Sequence, residues 1–130
     1  MPRYFTFVKA DESMPFGPPP PSLFEAISAM GEGALRDGTM ILTGGLLPSG
    51  QGALVDLKDG KIEVLDGPFA ESKELIGGFA MWELRNKDEA IEKSRQFLQL
   101  HIDHWPGFEA TIEVRELAEQ APGVPGSSAA

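Results

Sequence analysis

Hydrophobic and polar positions recur with two different periods along the chain, and each change of period marks an element. The stretch RYFTFVK (3–9) is aromatic or β-branched at most positions and predicts a first strand. Leu23, Phe24, Ile27, Met30, Ala34 and Leu35 then recur at helical spacing, which predicts a helix from Leu23 to about Arg36, ended by Asp37-Gly38. Ser22 stands where an N-cap belongs, with Glu25 at the capping-box position. TMILTGGLL, from Thr39, reads as the second strand, and Gly44 and Gly45 predict a bulge or a close backbone approach. ALVDLK (53–58) and KIEVL (61–65) are two strands joined at Asp59-Gly60, a dipeptide suited to the positive φ values of a two-residue hairpin turn.

GFAMWELR (78–85) predicts another strand, and Asn86 with Glu89 a capped start for a helix from Lys87. Its apolar stripe is Ala90, Ile91, Phe97 and Leu98, with His101 next. TIEVREL (111–117) closes the pattern, Ile112 and Val114 facing inward and Glu113 and Arg115 outward. The prolines of MPFGPPPPS, from Met14, lack N–H donors and predict a stiff, polyproline-like entry into the first helix; the same run would suit a proline-recognition domain. One domain, residues 1–118, is expected, with 119–130 a breaker-rich, flexible C-terminal tail.

Strand, helix, strand, hairpin, strand, helix, strand is a ferredoxin-like α+β order, βαβ(ββ)βαβ, with an antiparallel sheet and two helices on one face. The other face carries an expectation too. Phe79 and Met81 alternate with Ala80, Trp82 and Leu84, so the central strand is apolar on both sides. A soluble monomer rarely exposes so large an apolar face, which predicts a homodimer packed sheet to sheet, a dimeric α/β-barrel-like association.

Composition narrows the partners. With 20 acidic and 11 basic residues the net charge is −9, the wrong field for a phosphate backbone, so no nucleic acid partner is expected. The chain has no cysteine, which removes disulfides and thiolate chemistry. Neither a signal-like apolar run in MPRYFTFVKADE nor 18 consecutive apolar residues is found, which predicts a cytoplasmic protein with no membrane partner. The glycines of GGLLPSGQG lack the GK[ST] ending of a phosphate loop and are read as backbone geometry, and no cofactor is implied.

One stretch is specific enough to suggest a family. DGPF (66–69), then AESKE, then GGF, together with RYFTFVK, the LRDG turn, ILTGGLLPS, GGFAMWEL and IEVREL, resembles the YCII-related proteins of the DGPF type across nearly the whole chain. The resemblance implies a dimeric ferredoxin-like fold, commonly without an established activity, in bacterial proteins sometimes encoded beside or fused to extracytoplasmic sigma factors. In some relatives of the wider superfamily a His and an Asp near the first helix are proposed as a catalytic pair. Asp37 matches the acid, whereas the matching helix, PSLFEAISAMGEGALRDG, contains no histidine.

Two places offer chemistry. Asp66-Gly67-Pro68 is a turn in which Asp66 can bond backbone N–H groups, followed by Phe69 as an apolar anchor and by Glu71, Lys73 and Glu74 on about one helical turn to Ile76. Gly77 and Gly78 are expected to turn the chain sharply into the next strand. As a ligand-binding lip this stretch supplies Asp66, Phe69, Glu71, Lys73 and Glu74; as plain backbone geometry it is a self-satisfied turn. The second place is HIDHW (101–105), where His101 and His104 lie three apart. A metal would need carboxylates from elsewhere, so none is assigned, and His101 is read either as a half-buried helix residue or as a proton-transfer group.

Three functions fit. The first is a dimeric small-molecule-binding or regulatory protein. The second is a cofactor-independent lyase or isomerase moving a proton between a carboxylate, Asp37 or Asp66, and His101 or Lys73. The third is an interaction partner in sigma-factor-linked signalling.

Overall fold

The computed structural model describes residues 1–14, 16–68 and 75–118. Its elements in chain order are β1 (Arg3–Ala10), α1 (Pro21–Arg36), β2 (Met40–Gly45), a 3-10 turn (Ser49–Gln51), β3 (Ala53–Lys58), β4 (Lys61–Asp66), β5 (Leu75–Glu83), α2 (Lys87–His104) and β6 (Thr111–Glu116). Four strands form one antiparallel sheet in the order β2-β5-β1-β6, and β3 and β4 form a separate two-stranded sheet. Each βαβ half leaves a gap that a strand of the other half fills, the expected ferredoxin-like α+β arrangement with an inserted hairpin.

Local chemistry accounts for the elements. Asp59 and Gly60 turn the hairpin with φ of 51° and 74°, and six residue pairs then run in register from Lys58↔Lys61 to Ala53↔Asp66. Asn86 caps α2 by accepting from the Glu89 N–H at 3.0 Å, and Asp88 and Glu89 put negative charge at the positive helix end. The start of α1 corrects the expected capping box. Pro20 holds the N-cap position at φ −64°, ψ 147° and Pro21 is the first helical residue, so no side chain caps this end and Ser22 lies inside the helix. Proline serves there because its fixed φ suits the helix and its missing N–H leaves one donor fewer to satisfy.

The double glycine also departs from expectation. Gly77 and Gly78 lie inside β5, where the register against β1 steps from Val8↔Gly78 to Lys9↔Ile76 and leaves Gly77 as the extra residue of a β-bulge. Leu75 and Ile76 are extended with them, so the expected helical turn does not reach Ile76. Residues 71–74 of that turn, like the 119–130 tail, lie outside the described residues. Gly44 does mark a close approach: a Cβ there would meet the Phe79 ring at 2.8 Å.

Both helices cover one face of the sheet. Tyr4, Met40, Ala80, Trp82 and Leu84 pack there with Ala34 of α1 and Ala90 of α2, flanked by Met30 and Val114. The buried indole of Trp82 donates to the Thr6 hydroxyl at 3.0 Å, which satisfies the one polar atom the ring brings inside. Two residues of the predicted α1 stripe, Phe24 and Leu35, are instead exposed, because α1 meets its neighbours along a narrower stripe than the periodicity suggested.

On the opposite face the register aligns Phe5 with Met81 and Phe7 with Phe79, with Leu42 and Gly44 beside them on β2. Phe5 stacks on Phe7 at 5.1 Å and tilts against Phe79 at 6.0 Å. Met81 is buried and the three phenylalanines are half-buried. Ion pairs border this apolar strip: Arg3–Glu83 at 3.3 Å at one end, Lys9–Glu113 at 2.8 Å at the other, and Arg115–Glu113 at 3.1 Å alongside it on β6. Among the described residues no helix is long and apolar enough to cross a membrane.

Candidate functional site

The best-built irregular region lies where the hairpin joins the sheet. After β1 the chain turns at Asp11, whose Oδ1 accepts from the Ser13 N–H at 2.9 Å and its hydroxyl at 2.6 Å. The turn presents Glu12 to the 3-10 turn 37 residues later: Oε1 accepts from the Ser49 N–H at 2.8 Å and Oε2 from the Ser49 hydroxyl at 2.7 Å. Two charge-assisted bonds from one carboxylate hold a buried serine in one orientation.

Gly67 sits on that serine. Its N–H donates to the Gly52 carbonyl at 2.9 Å, and a Cβ at position 67 would overlap the Ser49 carbonyl, so only glycine admits this approach. The DGPF stretch thus begins from a fixed platform: Glu12 holds Ser49, Ser49 receives Gly67, and Asp66 precedes it at the end of β4. The Asp66 side chain is exposed and accepts no hydrogen bond from any described residue. Phe69, Glu71, Lys73 and Glu74 lie outside the described residues.

His101 is set in an aromatic cluster. Its ring lies 4.9 Å from Phe97 and stacks on Phe108 at 5.2 Å, and Phe108 stacks in turn on Trp105 at 4.3 Å. Phe16 closes the cluster edge-on to Phe108 at 5.0 Å, and the Trp105 indole donates to the Phe16 carbonyl at 3.2 Å. The imidazole Nδ1 lies 2.9 Å from the Phe97 carbonyl. A carbonyl only accepts, so Nδ1 carries the proton and Nε2 of the neutral ring keeps its lone pair. His104, three residues on, makes no metal cluster with His101, and among the described residues no group of three or more His, Cys, Asp or Glu could hold a metal ion.

Asp37 caps the far end of α1. Its Oδ1 accepts from the Thr39 hydroxyl at 2.6 Å and the Thr39 N–H at 2.9 Å. The hydroxyl bond first, then the N–H bond, holds its carboxyl below the ordinary range against a small opposing desolvation, and Lys93 adds to the lowering. The charge of Lys93 reaches Asp37 from the second turn of α2, and His101 is eight residues further along the same helix, about 12 Å at the usual rise. Asp37 and His101 each bond to their own stretch of chain, the one to Thr39 and the other to the Phe97 carbonyl.

An antiparallel 2-5-1-6 sheet, two helices on one face and a hairpin pinned at the DGPF platform define an α+β protein of ferredoxin-like topology. The chain belongs to the YCII-related domain family, whose model matches residues 9–97. That span holds Glu12, Asp37, Ser49 and Asp66 and ends at Phe97, before His101. Among curated proteins none matches the chain.

Sequence reading missed Glu12 and Ser49. The one local signal was Asp11-Glu12-Ser13, a sequence that favours an Asx turn, beside the breaker-rich LPSGQG segment.

Proposed function

We propose that the protein is a homodimer joined through the open sheet face and that it binds a small molecule at the Asp66 loop, as a binding or regulatory protein. One observation carries the ligand reading: an exposed carboxylate at the end of β4, to which no described residue donates a hydrogen bond, beside a backbone held at Gly67 by the Glu12–Ser49 pair and the Gly52 carbonyl. A preorganised polar group is what a specific small-molecule site requires, since little ordering then remains to be done on binding. The dimer reading rests on Phe5, Phe7 and Phe79, half-exposed between two bordering ion-pair groups in the manner of an apolar interface core with a polar rim.

A second reading, a cofactor-independent lyase or isomerase, draws on the lone pair at His101 Nε2. It needs a carboxylate near that nitrogen on the bound substrate's path, and the hydrogen bonds of Asp37 run to Thr39. Binding without turnover is the reading the geometry favours.

Native mass spectrometry of the purified protein, with dissociation and identification of whatever is released, tests it. A dimer carrying a small organic molecule, with occupancy lost in Asp66→Asn, is the expected result. Equal occupancy in Asp66→Asn would overturn the site, and a monomer at micromolar concentration would overturn the dimer.

A further inference from the structure

Four prolines, Pro18 to Pro21, lead into α1, and the helix start accounts for only two of them. Pro20 holds the N-cap position and Pro21 the first helical one, whereas Pro18 and Pro19 lie before both. Pro18 and Pro19 are exposed, so they fill no core either. Their conformation is nevertheless fixed. Each ring holds φ at about −65°, and each of Pro18, Pro19 and Pro20 precedes another proline, which drives ψ into the extended range. Pro20 shows the result at φ −64°, ψ 147°, the polyproline II conformation.

Both ends of this run are fastened. Before it, Phe16 lies edge-on to Trp105 at 6.1 Å and to Phe108 at 5.0 Å, its carbonyl accepts from the Trp105 indole, and Gly17 turns the chain with φ of 74°. After it, the Leu23 N–H donates to the Pro20 carbonyl at 3.0 Å and α1 begins. With three residues per turn a polyproline helix has three edges, so Pro18 and Pro21 share one while Pro19 and Pro20 take the others. Pro20 is half-buried; Pro18, Pro19 and Pro21 are exposed. One edge therefore leans on the body and two face outward. Phe24, three residues past Pro21 on the same helix face, is 57% exposed and lengthens the outward apolar surface.

We propose that residues 18–21 are a docking segment for a partner protein whose groove, lined by aromatic rings, reads proline at PxxP spacing, with Pro18 and Pro21 as the two prolines of that pattern. A flexible peptide loses much conformational freedom when it enters such a groove. This run is already stiff and tied at both ends, so little is left to lose. The charge of the chain narrows the partner further. A net charge of −9, with Glu25 exposed in the first turn of α1, favours a groove flanked by Lys or Arg. Neither the Asp66 carboxylate nor a second copy of this chain takes part.

Purified SH3, WW and EVH1 domains, three folds that read polyproline II segments, supply the probes. Each is titrated, up to millimolar concentration, into the isotope-labelled protein and followed through its amide resonances. At least one is expected to bind saturably and to shift Gly17, Ser22, Leu23 and Phe24, the nearest amides to a run that has no N–H of its own. Pro19→Ala, on one outward edge, is expected to weaken that binding by about tenfold or more with the thermal midpoint unmoved. Where the midpoint moves as well, Pro18→Ala on the other outward edge decides by the same criterion. No binding by any of the three domains, shifts that spare those four amides, or unchanged affinity in both variants would overturn the docking segment.

Discussion

Two apolar regions of this molecule are built from similar residues and do opposite things. Around Leu84, Trp82 and Ala90, side chains from β5 and both helices interdigitate until almost no water reaches them. Along the hairpin, Val55, Leu57, Ile62 and Val64 pair as neatly across two strands and remain in water. Hydrophobicity and strand periodicity are the same in both places. What differs is connection: β5 is hydrogen-bonded to β1 and β2, whereas β3 and β4 bond only to each other. A strand belongs to a core through its neighbours in space, and residue type decides only whether it would tolerate being there.

The comparison can be sharpened by cutting each region in turn. Leu84→Ala empties a fully buried site and is expected to cost about 2–5 kcal/mol in denaturant unfolding. A loss under 1 kcal/mol would mean that this core is not close-packed. Glu12→Ala removes the charge-assisted acceptor of Ser49 and is expected to cost about 1.5–3 kcal/mol, with faster amide exchange at Gly52 and Gly67. Unchanged exchange at those two amides would show that the hairpin base is held by other means. Asn86→Ala removes the α2 cap and should cost about 1 kcal/mol.

A smaller effect is expected in acid. Bonds from Thr39 lower the Asp37 carboxyl, and Lys9 first and Arg115 next lower that of Glu113. Both folded values lie below the unfolded ones, so the stabilisation is complete above the ordinary carboxylate range of roughly 4 to 4.5 and is lost as pH falls through the lowered values. Asp37→Asn and Glu113→Gln should each flatten the acid limb of a stability-versus-pH curve, and an unaltered limb would refute the pairing. Smallest of all, Leu57→Ser should change monomer stability by less than about 0.5 kcal/mol, because its side chain is already in water.

Much of the fold was legible because its signals are local. The Asp59-Gly60 turn, the Asn86 cap and the alternation in β1, β5 and β6 each follow from a few adjacent residues. The failures have local causes as well. Ser22 looked like a cap because serine can serve as one, yet the prolines before it had already fixed the backbone. Gly77-Gly78 looked like a bend, and only the pairing partner Val8 shows that the extra residue is absorbed as a bulge. The candidate site was half legible. Asp66 was visible from DGPF, whereas the Glu12–Ser49 clamp depends on two loops meeting in space, which no window of sequence contains. Likewise the local partners of Asp37 and His101, Thr39 and the Phe97 carbonyl, were not among the contacts the sequence suggested.

The hydrogen bond between Gly67 and Gly52 has one more consequence. It brings both ends of the hairpin to one point on the body, so the intervening residues form a closed excursion that the four-stranded sheet does not depend on for its order. Lengthening, shortening or replacing such an excursion changes closure entropy only slowly with length. Positions 53–66 are therefore a natural graft point, where a foreign turn or peptide could be carried on an unaltered fold so long as Gly67 is kept.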